Sequence, residues 1–556
     1  MTSVSILAQE NAHGAAQDEI VNISCLESYI PAPSNYPFRE KATDLPKVSG
    51  TINNIYVRRL KIFDEERPEE NNALYRFANQ VHKLTGETYV RQELLFTEGD
   101  QYNDKTIEES ARNLRELDHL IDASIRIVGN CDKKIDVEVV TKDLWSLGLD
   151  LSFGRAGGET TSRLGISESN LLGMGKKISI TSKKNSERDS SRFTYRDNNI
   201  LGSRYRALAR IENNEDGSHQ AVHFLLPFYA LDSRQSWGFR LEKFDQIDTQ
   251  YRRGEDVSEI RHEIQDFNFF VGKSAGIIDN VVKRWLLGFR YRNDNFEAGD
   301  ELPEPSHDPR DTTLSYPYLA FESIENRYTT ATNLEQIYRT EDIHLGYTFR
   351  SSIGYSHKDI GADQSRLVFN SSYSDTLIFD EENYLIHTAS LSGLWNLEEG
   401  ASEDVLFLYK INYIRRQKNK RAFVAQFSAA ISDNLNSNQQ LSLGGESGLR
   451  GFNRRYQSGD KRINLTLEER QYTDYQIFNL AYLGFAAFID IGRAWQNGIQ
   501  ETPDKLLANI GFGIRLASTK ADGGRVIHLD LAYPLTNRDD PLLDSLQVYV
   551  TIKNTL

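Results

Sequence analysis

The sequence predicts a mainly β protein, with a small α+β unit in front of about 400 residues of antiparallel strands. Three observations predict this. Helical periodicity is confined to the stretch between Asn71 and Leu117. From about Leu144 onward, segments of roughly ten residues alternate apolar and polar side chains. Polar or glycine-rich turns separate those segments. A period of two with one apolar face fits a sandwich, a propeller or a closed barrel. Alternation alone does not choose between a barrel in lipid and a sheet in water.

Composition narrows the classes. A chain of 556 residues is too long for one ordinary core, so two or more units are expected. Hydrophobic residues make up 39% and mean hydropathy is −0.54. No stretch approaches the ~18–20 apolar residues of a membrane helix, a test that β-barrels escape because only alternate residues meet lipid. The 27 Tyr and 27 Phe suit the aromatic girdles of such a barrel, and equally a large soluble β protein. A net charge of −15 excludes a nucleic-acid partner held by phosphate neutralisation. Cys25 and Cys131 are the only cysteines, which excludes a disulfide-rich scaffold and a multi-cysteine metal site; they pair or stay reduced according to compartment. The 11 histidines show no metal-ligand spacing, and neither metal nor cofactor is expected.

Residues 1–50 are polar and carry Pro31, Pro33, Pro37 and Pro46, as a leader or linker does. The opening "MTSVSILAQENAHGAAQDE" has no Lys or Arg, and its apolar run, Val4 to Ala8, is short for a signal peptide. Either the chain is cytoplasmic, or it starts within a signal segment that ends near Ala8 or Ala15.

Residues 51–143 read as strand, helices, hairpin. "IYVRRLKIF" (Ile55–Phe63) is β-rich. Asn71–Thr85 is amphipathic, with Leu74, Phe77, Val81 and Leu84 on one helical face. A second short helix in "YVRQELLFTEGDQYND" runs into a Gly-Asp turn. Asp104–Leu117 forms a third, with Asp104 as N-cap and Ile107, Ala111, Leu114 and Leu117 on one face. "ASIRIVG" and "KIDVEVVT" make a hairpin around Gly129–Lys133.

Residues 144–556 hold about sixteen to eighteen alternating runs. In "LQVYVTIK" Leu546, Val548, Val550 and Ile552 share one face. "NIGFGIRLA" sets Ile510, Phe512, Ile514 and Leu516 against Asn509, Gly511, Gly513 and Arg515. "INLTLEERQY" sets Ile463, Leu465 and Leu467 against Asn464, Thr466, Glu468 and Arg470. "IHLGYTFRSSIGY" reads as one such run. Full charges stand in mid-strand on the polar faces, as a polar barrel interior tolerates and a water-exposed sandwich face also would.

Motifs decide between them. "SESNLLGMGKKISI" (Ser167–Ile180) contains an N-L-x-G-x-G hairpin pattern. "GGESGLRGFNRR" (Gly444–Arg455) contains "GLRGF", and some forty residues on stands "FIDIG" (Phe488–Gly492). With "ELLFTEGDQYNDKTIEESARNLREL" upstream, the chain over residues 52–556 resembles the bacterial surface antigen or BamA/TamA-type superfamily. Its members carry polypeptide-transport-associated (POTRA) domains before a sixteen-stranded outer-membrane barrel. The resemblance implies a mainly β fold: a transmembrane antiparallel β-barrel of about sixteen strands with one N-terminal α+β POTRA domain. The domains are then a leader (1–50), a POTRA domain with a helical insertion at Asn71–Thr85 (51–143) and an outer-membrane barrel (144–556).

The resemblance further implies that Gly448, Leu449, Arg450, Gly451 and Phe452 form the tip of a loop folded back inside the barrel. Arg450 then bonds to Asp490 on the wall. Phe488, Asp490 and Gly492 lie at i, i+2, i+4 and so share one strand face. With Ile489 and Ile491 in lipid, Asp490 points inward, where a shielded carboxylate favours a cationic partner. Glu468, inward on the intervening strand, is a second candidate anchor. Taken singly, "LRGF" reads as a surface hairpin and Asp490 as an exposed strand residue; their joint order behind the upstream unit favours the inward pairing.

The expected function is non-enzymatic: insertion or translocation of polypeptides, or lipids, at the bacterial outer membrane. The partners are the bilayer and an unfolded or secreted polypeptide client met by a periplasmic POTRA domain. Ser442 and Ser447 make no G-x-S-x-G elbow, and "GRAGGETTSRLG" lacks the strand–helix context of a phosphate loop. His528 beside Asp530 reads as lumen polarity. The alternative is a passive pore or structural barrel without client handling. The C-terminal "VTIKNTL" departs from the family in lacking a terminal aromatic.

Overall fold

The computed structural model describes residues 29–34, 36, 38, 48–149, 152–185, 187–299, 302–303, 309–331, 334, 340–496, 505–520 and 526–553. Most of the segment 1–50, Cys25 included, lies outside them. Cys131 is disulfide-bonded, with its partner outside the described residues.

The front of the chain forms β1 (Thr51–Leu60), α1 (Ala73–Val81), α2 (Glu87–Glu93), α3 (Asp104–Arg115), β2 (Leu120–Cys131) and β3 (Lys134–Asp143). The sheet order is β1-β3-β2, with β1 parallel and β2 antiparallel to β3. Asp132 and Lys133 take φ of +50° and +61°, the left-handed pair of a two-residue hairpin. The alternating apolar residues Ile135, Val137 and Val139 meet Val90 of α2, Leu94 just after it, and Ile107 and Leu114 of α3 in one core. One expectation needs correction. Asn103 rather than Asp104 caps α3, accepting from the Thr106 amide; Asp104 is already helical, where its charge complements the helix dipole. The apolar face of α1 is not core: Leu74, Phe77 and Val81 are 68%, 60% and 53% exposed.

The remaining strands close into an antiparallel barrel. Leu147–Leu149 and Ser152–Ala156 pair in one continuous register with Glu159–Leu171 and count as one strand. On that count the barrel has twenty strands among the described residues, not sixteen. Strands such as Asp189–Asp197 and Arg366–Ile378 hid from the alternation because serines stand on both of their faces. The run "IHLGYTFRSSIGY" also divides. Thr348–Ser356 is a barrel strand, whereas Glu341–His344 pairs with Tyr328–Ala331 in a separate hairpin.

Alternation sorts the wall as lipid outside requires. Asn509, Arg515 and Asp530 are buried facing in, while Phe512, Leu531 and Val548 are 52%, 49% and 41% exposed facing out. Among the described residues, the last strand, Gln547–Lys553, pairs with Val526–Pro534 along its whole length and with the first strand through Val550 and Arg155.

The α+β unit sits across the end of the barrel where the first strand begins. Gly86 N–H donates to the Gly173 carbonyl at 2.7 Å, and the Leu231 amide donates to Glu109 Oε1 at 2.7 Å. Lys105 Nζ reaches Asn280 at 2.7 Å, Arg204 pairs with Glu93 at 3.1 Å, and Lys520 pairs with Glu70 at 2.8 Å. These contacts fall on turns spread around the rim. The hairpin Tyr328–Ala331/Glu341–His344 enters the lumen from the same end. Ala331, Leu334 and Ile343 pack on Tyr384, Ile414 and Val424. Those three pair directly across neighbouring strands with one another and on to Glu468, so all lie on the inward face.

Candidate functional site

The segment 434–460 joins strands Arg421–Asp433 and Lys461–Ile477 at the far end and turns back inside the barrel. A short hairpin, Leu441–Leu443 with Gln457–Gly459, forms its stem. Gly448 has φ +137°, and a Cβ there would stand 2.5 Å from Asn464 Nδ2 on the wall. Gly451 has an ordinary φ; its role is close approach alone, since a Cβ would meet Asn509 Cβ at 2.6 Å. Leu449 and Phe452 are fully buried and pack with Leu443, Tyr456, Ala494 and Leu507. The apolar residues of "GLRGF" therefore seat the loop, leaving Arg450 to reach the wall.

Arg450 is buried and bonds three carboxylates. Its Nε donates to Asp490 Oδ2 at 3.0 Å and its Nη2 to Asp490 Oδ1 at 2.9 Å. Nη1 donates to Glu468 Oε2 at 3.1 Å and Asp530 Oδ2 at 3.0 Å. The guanidinium carbon lies 3.2 Å from the centre of the Phe488 ring. The loop thus meets both residues anticipated for it, Asp490 and Glu468, and one not anticipated, Asp530.

The strand register explains why these groups converge. Thr466, Asp490 and Asn509 are directly opposite on three successive strands. Thr466 Oγ1 and Asn509 Nδ2 each donate to Asp490 at 2.9 Å. The next inward row is Glu468, Phe488 and Gly511; a Cβ at Gly511 would stand 2.2 Å from the Phe488 ring. Below it come Arg470, Ala486, Gly513 and Asp530, then Arg515 and His528. Arg470 Nε donates to Glu468 Oε1 at 2.8 Å, and Arg515 Nη1 donates to Asp530. Gly492, the last motif residue, admits Leu443 of the loop stem, whose Cδ2 a Cβ would meet at 3.0 Å.

Six buried charges result: Arg450, Arg470 and Arg515 against Glu468, Asp490 and Asp530. The signs balance three to three, which is what makes such a cluster tolerable away from water. The motifs alone missed Arg470, Arg515 and Asp530. The signal for all three was strand parity, because each stands an even number of residues from an inward polar neighbour. A cavity of about 610 Å³ remains between the loop, at Asn436–Gln439, and the opposite wall around His262, Arg290 and Tyr318.

Residues 401–516 match the family model of the haemolysin secretion/activation proteins ShlB/FhaC/HecB. That stretch contains both "GLRGF" and "FIDIG", so the match covers Arg450, Glu468 and Asp490 but ends before Asp530. No functionally curated protein matches the chain. Among solved structures, BamA from Haemophilus ducreyi lacking POTRA domains 1–3 is similar at 12% identity and TM-score 0.38, over 90% of this chain and 84% of that one. CdiB from Acinetobacter baumannii is similar at 13% identity and TM-score 0.42, over 90% and 73%. CdiB from Escherichia coli is similar at 15% identity and TM-score 0.43, over 90% and 76%.

Proposed function

We propose that this chain is a non-enzymatic outer-membrane factor that secretes or inserts polypeptides, with the α+β unit as a POTRA domain on the periplasmic side. The single observation that carries the reading is the inward loop pinned by Arg450 to Asp490, Glu468 and Asp530. It lies within the stretch matched by a family of secretion and activation proteins.

Three further features favour client handling over a passive pore. The near mouth is covered by the α+β unit, and a hairpin occupies the lumen beneath it. Among the described residues the seam between first and last strands is paired at Val550 and Arg155, a place where the wall can part or accept a client strand. β2 is an edge strand of its sheet and offers a site for an extended client segment to add by β-augmentation.

The test is reconstitution of the full chain in phospholipid vesicles, with an unfolded β-barrel protein supplied from the side of the α+β unit. Faster client insertion than in empty vesicles is expected, with single-channel traces mostly closed. A steady open pore with no effect on the client would favour the passive role.

A further inference from the structure

α1 presents three distinct stripes. At 3.6 residues per turn, Tyr75, Ala78, Asn79 and His82 face one way, Arg76 and Gln80 a second, and Leu74, Phe77 and Val81 a third. The first stripe is fully used. Tyr75 stacks on Phe63 with ring centres 4.1 Å apart, and its hydroxyl donates to the Phe478 carbonyl in a barrel turn. Asn79 accepts from the Phe63 amide at 3.2 Å and donates to the Phe63 carbonyl at 2.9 Å. The second stripe meets water as polar residues should. The third leaves two large aliphatics and a phenyl ring more than half exposed on a nine-residue helix.

The place where α1 docks says what covers that stripe. Phe478 lies in the turn between Lys461–Ile477 and Ala481–Trp495, at the rim of the wall. Phe478 is 81% exposed, Tyr475 64% and Leu480 41%. Exposed aromatics at the end of an outward apolar face form the girdle that meets lipid headgroups. α1 and the segment before it are thereby held at the rim turn that carries these side chains. Charge does not carry this contact, because the stripe itself bears none and Arg76 lies within electrostatic reach of Glu65.

We propose that α1 is an interfacial helix whose Leu74–Phe77–Val81 stripe lies on the phospholipid leaflet bordering the near end of the barrel. It tethers the α+β unit to the membrane surface beside the mouth that the unit covers. A nine-residue helix binds lipid weakly alone; fixed to the wall by Tyr75, it needs no separate encounter. The inference rests on the reading of the barrel as membrane-spanning.

The test places a nitroxide on a single introduced cysteine in the full chain in phosphatidylcholine vesicles, labelled without reductant so that the disulfide at Cys131 stays closed. The positions are Phe77→Cys, Val81→Cys, Gln80→Cys on the polar stripe, and Phe512→Cys on the outward barrel face. The readout is the ratio of oxygen to nickel-chelate collision rates. Labels at 77 and 81 should show a ratio several-fold above that at 80 and close to that at 512, unchanged when anionic lipid is added. Equal ratios at 77, 81 and 80 would overturn the proposal, as would labels at 77 and 81 shielded from both reagents, which would mean that protein covers the stripe. A lipid signature at 512 with none at 77 refutes the helix alone; its loss at 512 refutes the membrane barrel itself.

Discussion

Arg450 and Asp490 meet through two parallel N–H to O bonds, of 3.0 and 2.9 Å, at a point where Asp490 has no exposed surface and Arg450 almost none. Paired bonds of this geometry fix orientation as well as position. The loop tip therefore has one seat on the wall. Glu468 and Asp530, which also touch Arg450, extend that seat down the lumen, where Arg470 and Arg515 meet them.

Charge balance is the first thing to perturb. Asp530→Ala leaves Arg450 and Arg515 sharing one fewer carboxylate while both stay buried. Breaking a buried pair this way costs about 3–5 kcal/mol. We expect a lower temperature for loss of the folded electrophoretic form. Adding Arg515→Met restores the count and should recover much of the shift.

Gly511 is the second. A methyl group there meets the Phe488 ring at 2.2 Å and the Leu531 carbonyl at 2.5 Å. Gly511→Ala should displace the ring that Arg450 rests on and cost about 1–3 kcal/mol by overpacking. The same melting measurement reads it, and Phe488→Leu in the Gly511→Ala background should relieve it.

The third concerns the mouth. Arg115 on α3 holds Asp342 of the inner hairpin through Nε to Oδ2 at 2.7 Å and Nη2 to Oδ1 at 2.5 Å, and Thr340 adds a bond to Asp122. Arg115→Ala should speed amide exchange across Glu341–His344 by about tenfold, equivalent to roughly 1.4 kcal/mol. The core strand β3 should keep its protection.

The fourth is a pH dependence. His119, between α3 and β2, is fully buried, and burial pushes its imidazole down to about 4. Unfolded, it titrates near 6.5. Between these values the unfolded state binds more protons, so stability of the α+β unit falls as pH drops from 6.5 toward 4. Protease sensitivity of residues 51–143 should rise over that window, and His119→Gln should flatten the rise.

Much of this architecture is legible from side-chain parity. Glu468, Asp490 and Asn509 stand at even spacing from their inward neighbours, and period two carries that information unaided. Strand number is not legible in the same way. Where both faces carry serine, as in "NSSYSD" of Arg366–Ile378, the polar lumen and the outer surface read alike. The hairpin Glu341–His344 was hidden for a related reason: its alternation is real, but its apolar side meets the lumen rather than lipid. For α1, sequence identified the apolar stripe correctly and left its neighbour undetermined, because an amphipathic face specifies that something covers it and not what. Parity turns Asp530 and Arg515 inward as well, but their contact needed the register between strands, which places Gly513 opposite Asp530 with room for both side chains.

The most direct test of the central claim is a double-mutant cycle on Arg450→Ala and Asp490→Ala, read as the rate of client insertion by reconstituted protein that still shows the folded electrophoretic form. If the pinned loop is what the activity depends on, each single variant loses activity and the double is little worse than either. Defects that simply add, or single variants with full activity, would contradict it.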